Sequence, residues 1–159
     1  METGLISVII TTYKREFSML KEAIDSVLAQ TYPHMEIMVV DDNGGDGEYT
    51  RRIEEGLKAY PQITYIKLAH NSGAQAARNT GIMASHGEFI AFLDDDDLWE
   101  PEKLAMQVPC FEDPGVGLVF CQGYVFDDKD IGHRRLYHKE GTFKEKPDFC
   151  NAIGAHHDE

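Results

Sequence analysis

Four short apolar runs, each leading into a polar stretch, constrain this chain more than any other feature. Leu5 to Thr11 is β-branched and continuous, the pattern of a strand buried on both faces. Phe17, Leu20, Ile24, Val27 and Leu28 then recur at helical spacing, so a helix is expected over about Glu16 to Gln30, ended by Tyr32-Pro33. Glu36 to Val40 reads as a second strand, closing on Asp41-Asp42-Asn43 and the turn-forming Gly44-Gly45-Asp46-Gly47. A helix over Glu48 to Tyr60, a strand over Ile63 to Leu68 and a helix over Gly73 to Ser85 follow. The fourth strand is Glu88 to Leu93, and Pro101 to Phe111 reads as a helix with Pro101 in its first turn. Strand alternating with helix implies right-handed crossovers and a Rossmann-like, mostly parallel sheet flanked by helices, the α/β class.

Beyond Val116 the pattern changes. Val116 to Phe126 and Arg135 to Phe143 read as extended, with a hairpin across Asp127-Asp128-Lys129-Asp130, while Cys150 to Glu159 shows no clear period. At 159 residues the chain suits one domain, 1–159, with one core.

In a parallel sheet the strands' C-terminal ends share one edge, where open α/β sheets keep their ligands. Three polar clusters sit at such ends: Thr11-Thr12-Tyr13-Lys14-Arg15, Asp41-Asp42-Asn43 and Asp94-Asp95-Asp96-Asp97. A fourth stretch, His70 to Asn79, leads from the third strand into a helix with small residues and Arg78, a planar cation suited to phosphate or carboxylate. Taken alone, each has a plain explanation: a strand end, a helix cap, a salt-bridge partner, a solvated acidic turn. Jointly they point to one crevice. Four adjacent carboxylates repel and raise one another's pKa, and a hard divalent cation such as Mg²⁺ or Mn²⁺ relieves that cost.

The formal net charge of −13 argues against nucleic acid as a partner, since such binding relies on Lys and Arg neutralising phosphates. A phosphorylated ligand would then need local cations: a metal, a few basic side chains or helix N-termini. No apolar run reaches the length of a bilayer span. Three cysteines, Cys110, Cys121 and Cys150, are odd in number and never form a CxxC pair, which suggests reduced thiols in a cytoplasmic compartment and disfavours zinc. Cys121 is expected in the core, Trp99 packed beside the acidic loop, and His156-His157 at a frayed terminus.

Five ordered segments resemble the family-2 glycosyltransferases of the GT-A fold: Ser7 to Tyr13, Ser26 to Tyr32, Glu36 to Asn43, Ala77 to Gly81 and Gly87 to Asp97. The match runs in register from Leu5 to about Leu104. The resemblance implies an inverting, metal-dependent transfer of a sugar from a nucleoside diphosphate to an acceptor hydroxyl. It places Thr11, Tyr13 and Arg15 in the nucleotide pocket, Asp42 as acceptor from the base and Arg78 near the nucleotide. Asp94 and Asp96 become the outer positions of a DxD motif, with Asp96 the direct ligand of Mg²⁺ or Mn²⁺, Asp95 near the ribose and Asp97 in support. The donor implied is a UDP-sugar first, with GDP- and dTDP-sugars as alternatives; the acceptor is a saccharide or a lipid-linked one. Homo-oligomerisation is left open, as is attachment to the inner face of the membrane.

On this resemblance, residues 5–104 are the nucleotide-sugar part and 116–159 an incomplete acceptor part. Asn151-Ala152-Ile153-Gly154 resembles the start of the segment that carries the family's catalytic base. The base itself is expected to lie outside this chain, Asp158 and Glu159 being poorly placed for it. The alternative reading is a nucleotide-sugar-binding module without turnover. A phosphoacceptor receiver domain, whose Lys-Pro step Lys146-Pro147 superficially matches, carries its paired acids after the first strand, where this chain has Thr11-Thr12-Tyr13. A P-loop is excluded because no Gly-Lys-Ser/Thr occurs.

Overall fold

The computed structural model describes residues 1–121, 123–127, 130–136 and 151–154. They fall into two compact units, Met1–Glu102 and Lys103–Glu159. The first unit is a four-stranded sheet with helices between successive strands: β1 (Glu2–Thr12), α1 (Phe17–Leu28), β2 (Met35–Asp41), α2 (Glu48–Leu57), β3 (Ile63–Lys67), α3 (Ala74–Ala84) and β4 (Gly87–Asp94). The strand order is β3-β2-β1-β4 and every pairing is parallel. The architecture is the α/β one expected from the alternation, with the element boundaries within three residues of the sequence reading.

The order matters for the site. From β1 the chain steps outward through β2 to β3, then returns past β1 to place β4 on its far side. Right-handed crossovers therefore put α3 on the face opposite α1 and α2, and the direction of winding reverses between β1 and β4. Such a reversal leaves a crevice at the C-terminal ends of the two strands. The register aligns their last residues: Thr11 pairs with Asp94 and Thr12 with Asp41.

The core follows from β1 being central. Leu5, Ile6, Val8, Ile9 and Ile10 are all buried, as are Ile37 to Val40 of β2. Burying each such side chain contributes about 1.5–3 kcal/mol. From α1 come Leu20, Ala23, Ile24 and Val27, whereas Leu28 at the end of the helix is largely exposed. On the other face α3 approaches closely because it presents Ala77 and Gly81; a Cβ on Gly81 would stand 2.5 Å from Cγ2 of Ile9. That intimacy fixes where the first turn of α3, and Arg78 with it, meets the strand ends.

The second unit departs from the sequence reading in four places. The expected helix over Pro101–Phe111 is α4 (Lys103–Gln107) followed by a 3₁₀ turn at Val108–Glu112. Pro109 is the reason, since it lacks an N–H and its ring clashes with the preceding turn. The single extended run expected over Val116–Phe126 is split into β5 (Val116–Phe120) and β6 (Tyr124–Asp127). The tail that shows no period contributes β8 (Asn151–Gly154), antiparallel to β5. Four residues are too few to display an alternation, so this strand owes its existence to its partner. The hairpin turn is as expected, with β6 paired to β7 (Asp130–Leu136) through Asp127 and Asp130, but β7 begins five residues before the extended run expected from Arg135 to Phe143. Residues 137–150, including Lys146-Pro147 and Cys150, lie outside the described residues, as do His156, His157, Asp158 and Glu159. Cys110 and Cys121 are free thiols, both partly exposed. No described helix is long and apolar enough to cross a membrane.

Candidate functional site

A crevice of about 490 Å³ opens at the C-terminal edge of the parallel sheet. Its walls come from four chain segments: Thr11, Thr12, Tyr13 and Arg15 after β1, Asp42 after β2, Asn71 to Arg78 around the start of α3, and Asp94, Asp95 and Asp96 after β4. All eight residues singled out in the sequence as nucleotide- or metal-binding line it. Asp97 does not.

The aspartates form a single β-turn rather than an extended row, closed by a hydrogen bond from the Asp97 N–H to the Asp94 carbonyl. A turn fans its side chains apart, and each carboxylate meets a different environment. Asp95 points inward and is only 6% exposed; Asp94 and Asp96 stay half-open to the crevice. Burial is the main force raising the Asp95 pKa, offset in part by Thr12 and Arg15. The Asp97 carboxyl is raised too, by partial burial and then by its three acidic neighbours.

Two arginines divide the crowded charge between them. Arg15 donates from Nε to Asp95 (3.2 Å) and from its terminal nitrogen to Asp96. Arg78, on α3, donates to Asp94 at 2.6 Å. The plain reading of Arg78 as a salt-bridge partner is therefore part of its role. In sequence terms the arginines are 80 and 16 residues from their partners, which is why no local pattern announces either pairing.

Asp42 is almost wholly buried and does more than line the crevice. Its carboxylate accepts hydrogen bonds from the Ser72 N–H (2.7 Å), the Gly73 N–H (2.9 Å) and the Asn71 side-chain amide (3.3 Å). An ionised carboxylate offers about four acceptor positions, so one remains for another donor. The same bonds hold the loop that enters α3. Gly73 sits there at φ +85°, a backbone conformation that a side chain would strain. Gly44 lets the β2 loop lie against that segment: a Cβ there would meet the Asn71 nitrogen at 2.7 Å.

Asp41 and Asn43 stand in a polar cluster that the sequence marks as a whole, without a role for either residue. Asn71 lies in the β3–α3 segment, marked likewise, but its amide gave no sign that it would reach back to Asp42 across 29 positions. Trp99 is partly buried in the stretch after the aspartate turn, where its backbone N–H donates to the Ser26 hydroxyl at 3.2 Å.

The donor set suits a hard cation. Two half-exposed carboxylates, Asp94 and Asp96, flank an inward one whose Oδ2 is buried without a hydrogen-bond partner, as is the Thr12 hydroxyl. Among the described residues no three His, Cys, Asp or Glu side chains form a ready-made cation cage. Mg²⁺ and Mn²⁺ do not need one, being commonly held by one or two carboxylates with phosphate oxygens and water completing the shell.

Residues 7–158 match the model of glycosyl transferase family 2. An Escherichia coli enzyme named UDP-Glc:alpha-D-GlcNAc-diphosphoundecaprenol beta-1,3-glucosyltransferase WfgD is 37% identical over 108 residues, covering 68% of this chain and 41% of that protein. Among solved structures, the Pyrobaculum calidifontis mannosyltransferase PcManGT in complex with GDP-Man and Mn²⁺ superposes with a TM-score of 0.62 at 29% identity. That match covers 70% of this chain and 33% of that one. S. aureus TarS 1-349 in complex with UDP-GlcNAc gives 0.56 at 31% identity, covering 69% of this chain and 31% of that one. The chain spans 36–41% of the length of three curated bacterial glycosyltransferases it matches.

Proposed function

The chain belongs to glycosyl transferase family 2, and from that premise we propose that its first unit is the nucleotide-sugar side of a metal-dependent, inverting sugar transferase. The observation that carries this reading is the convergence of four separated segments on one crevice with a division of chemistry among them. Tyr13 offers an aromatic face to a base. Asp42 offers its remaining acceptor position to a base N–H, and Thr11 lines the same pocket. Arg15 and Arg78 supply positive charge for a diphosphate in a protein that is otherwise strongly acidic.

Asp96, with Asp94, would hold Mg²⁺ or Mn²⁺, which neutralises charge on the departing diphosphate. Each arginine already pairs with one of these aspartates, so the two side chains are held at the crevice wall before any ligand arrives. Asp95 is then the group beside the ribose. Inversion proceeds by single displacement, with a carboxylate near the acceptor removing its proton; no described residue is assigned that role. A UDP-sugar is the first donor to test and a GDP-sugar the second, the latter because the mannosyltransferase neighbour holds GDP-Man with Mn²⁺. The acceptor class is a saccharide or a lipid-linked saccharide, in line with the diphosphoundecaprenol named for the WfgD relative.

Calorimetric titration with UDP and with GDP, each with and without Mn²⁺, tests the reading. Binding of at least one nucleotide, tightened by the metal, is expected. Absence of metal-dependent binding to either would sink it. Asp96→Ala should cut affinity in Mn²⁺ by about tenfold or more while leaving the weaker metal-free binding nearly intact.

A further inference from the structure

The turn that delivers Tyr13 and Arg15 to the crevice contains an unfavourable backbone. Lys14, between them, has φ +52°, the one positive φ among the described residues other than glycine. That region is unfavourable for an L-residue, and lysine lacks the short polar side chain that eases the cost for Asn or Asp. Something must hold it there.

The restraint comes from β2 and β3. The Lys14 N–H donates to the side-chain oxygen of Asn43 at 2.7 Å. Asn43 in turn donates both its backbone N–H (2.8 Å) and its amide Nδ2 (2.7 Å) to Oδ1 of Asp41. Asp41 is fully buried, and its other oxygen accepts the Tyr65 hydroxyl at 2.7 Å. Burial, then the bond to Asp41, pushes the Tyr65 phenol above its ordinary value, so it stays a donor at any ordinary pH. The Asn43 amide is thus fixed at both ends, by a buried carboxylate and by the strained turn. Neither Asn43 nor Asp41 lines the crevice.

We infer that Asn43 is a positioning residue for the nucleotide pocket, holding the left-handed Lys14 turn so that Tyr13 and Arg15 face the ligand. The inference rests on the nucleotide-binding reading of the crevice. It adds that the pocket's aromatic and cationic wall is set from outside, through Tyr65, Asp41 and Asn43.

Three variants separate this role from general stabilisation: Asn43→Ala, Lys14→Gly and the double variant. Asn43→Ala removes the acceptor from Lys14, and its affinity for UDP or GDP with Mn²⁺ is expected to fall about tenfold. Glycine adopts positive φ without strain, so adding Lys14→Gly to Asn43→Ala should recover part of that loss. A residue that merely stabilises the fold would show no such rescue. Independently of any nucleotide, amide exchange at Lys14 should be slow in the parent protein and at least about tenfold faster in Asn43→Ala. If the parent protein binds nucleotide and Asn43→Ala binds equally well, the inference is wrong. It is equally wrong if Lys14 exchange is unchanged by Asn43→Ala or if the double variant binds no better than the single one. If the parent binds no nucleotide while the Lys14 amide is protected, the clasp stands and the nucleotide reading of the crevice fails instead.

Discussion

The two ends of the parallel sheet solve opposite problems. Toward the strand starts, the Ser7 hydroxyl in β1 donates to Glu36 of β2 and accepts the Gly87 N–H of β4 at 2.9 Å, tying three adjacent strands together. Glu36 also receives the His86 N–H at 2.7 Å and its ring nitrogen at 3.2 Å. Each of the polar groups tying these strands has a partner. At the other edge Asp94, Asp95 and Asp96 share two arginines, Lys14 is held in a strained conformation, and Thr12 Oγ1 and Asp95 Oδ2 are buried without partners. Unpaired buried polar atoms and crowded like charge weaken a fold. One end is built to hold strands; the other keeps unspent binding capacity for a ligand.

That contrast can be broken experimentally, most severely at Gly87. A Cβ there would lie 2.7 Å from the Leu5 carbonyl and the Ser7 nitrogen, backbone atoms that cannot move aside cheaply. Gly87→Ala is expected to cost about 3 kcal/mol in urea unfolding. A loss below about 1 kcal/mol would mean the strand-start end is not tightly built.

The next effect depends on pH. Burial of Glu36 works to raise its pKa, but the bonds from Ser7 and His86 outweigh it and leave the carboxyl below its ordinary value. A carboxyl lowered on folding stabilises the protein above the unfolded pKa, about 4.3, and the contribution fades as pH falls through the folded value. Glu36→Gln should therefore lose about 1 kcal/mol at neutral pH and converge with the parent protein only as the pH falls through the lowered folded value. Parallel stability curves across that range would remove Glu36 from the account.

Arg78→Ala should have the smallest effect on stability. Its side chain is 32% exposed and that of Asp94 49%, so solvent screens the pair, and the expected loss is under about 1 kcal/mol, shrinking with added salt. Destabilisation by several kcal/mol would show that the charged edge is structural after all.

The fold was largely legible because its signals are local. Short apolar, β-branched runs marked β1 to β4 and period-3.6 patterning α1 to α3, and a parallel sheet then required Thr11, Asp42 and Asp94 to share an edge. Legibility failed where a partner or a single residue decided. Asn151–Gly154 is a strand only by pairing with β5, and Pro109 converts a helix into a short helix and a 3₁₀ turn. In the site, residue type and position pointed to Asp42, Arg78 and the aspartates, but not to how each is used. Asp42 spends most of its acceptor capacity on the loop at 71–73, a contact 29 to 31 positions away in sequence.

By itself, the sequence determined that this chain makes a parallel α/β sheet and gathers carboxylates and arginines at one edge, because hydrophobic period and strand direction are properties of short segments. Only the tertiary structure decided that Asp95 turns inward while Asp94 and Asp96 face the crevice, that two arginines divide the charge, and that Asn43 holds the Lys14 turn. Those outcomes depend on burial and on hydrogen bonds between residues 16 to 81 positions apart, which only the packed fold brings within reach.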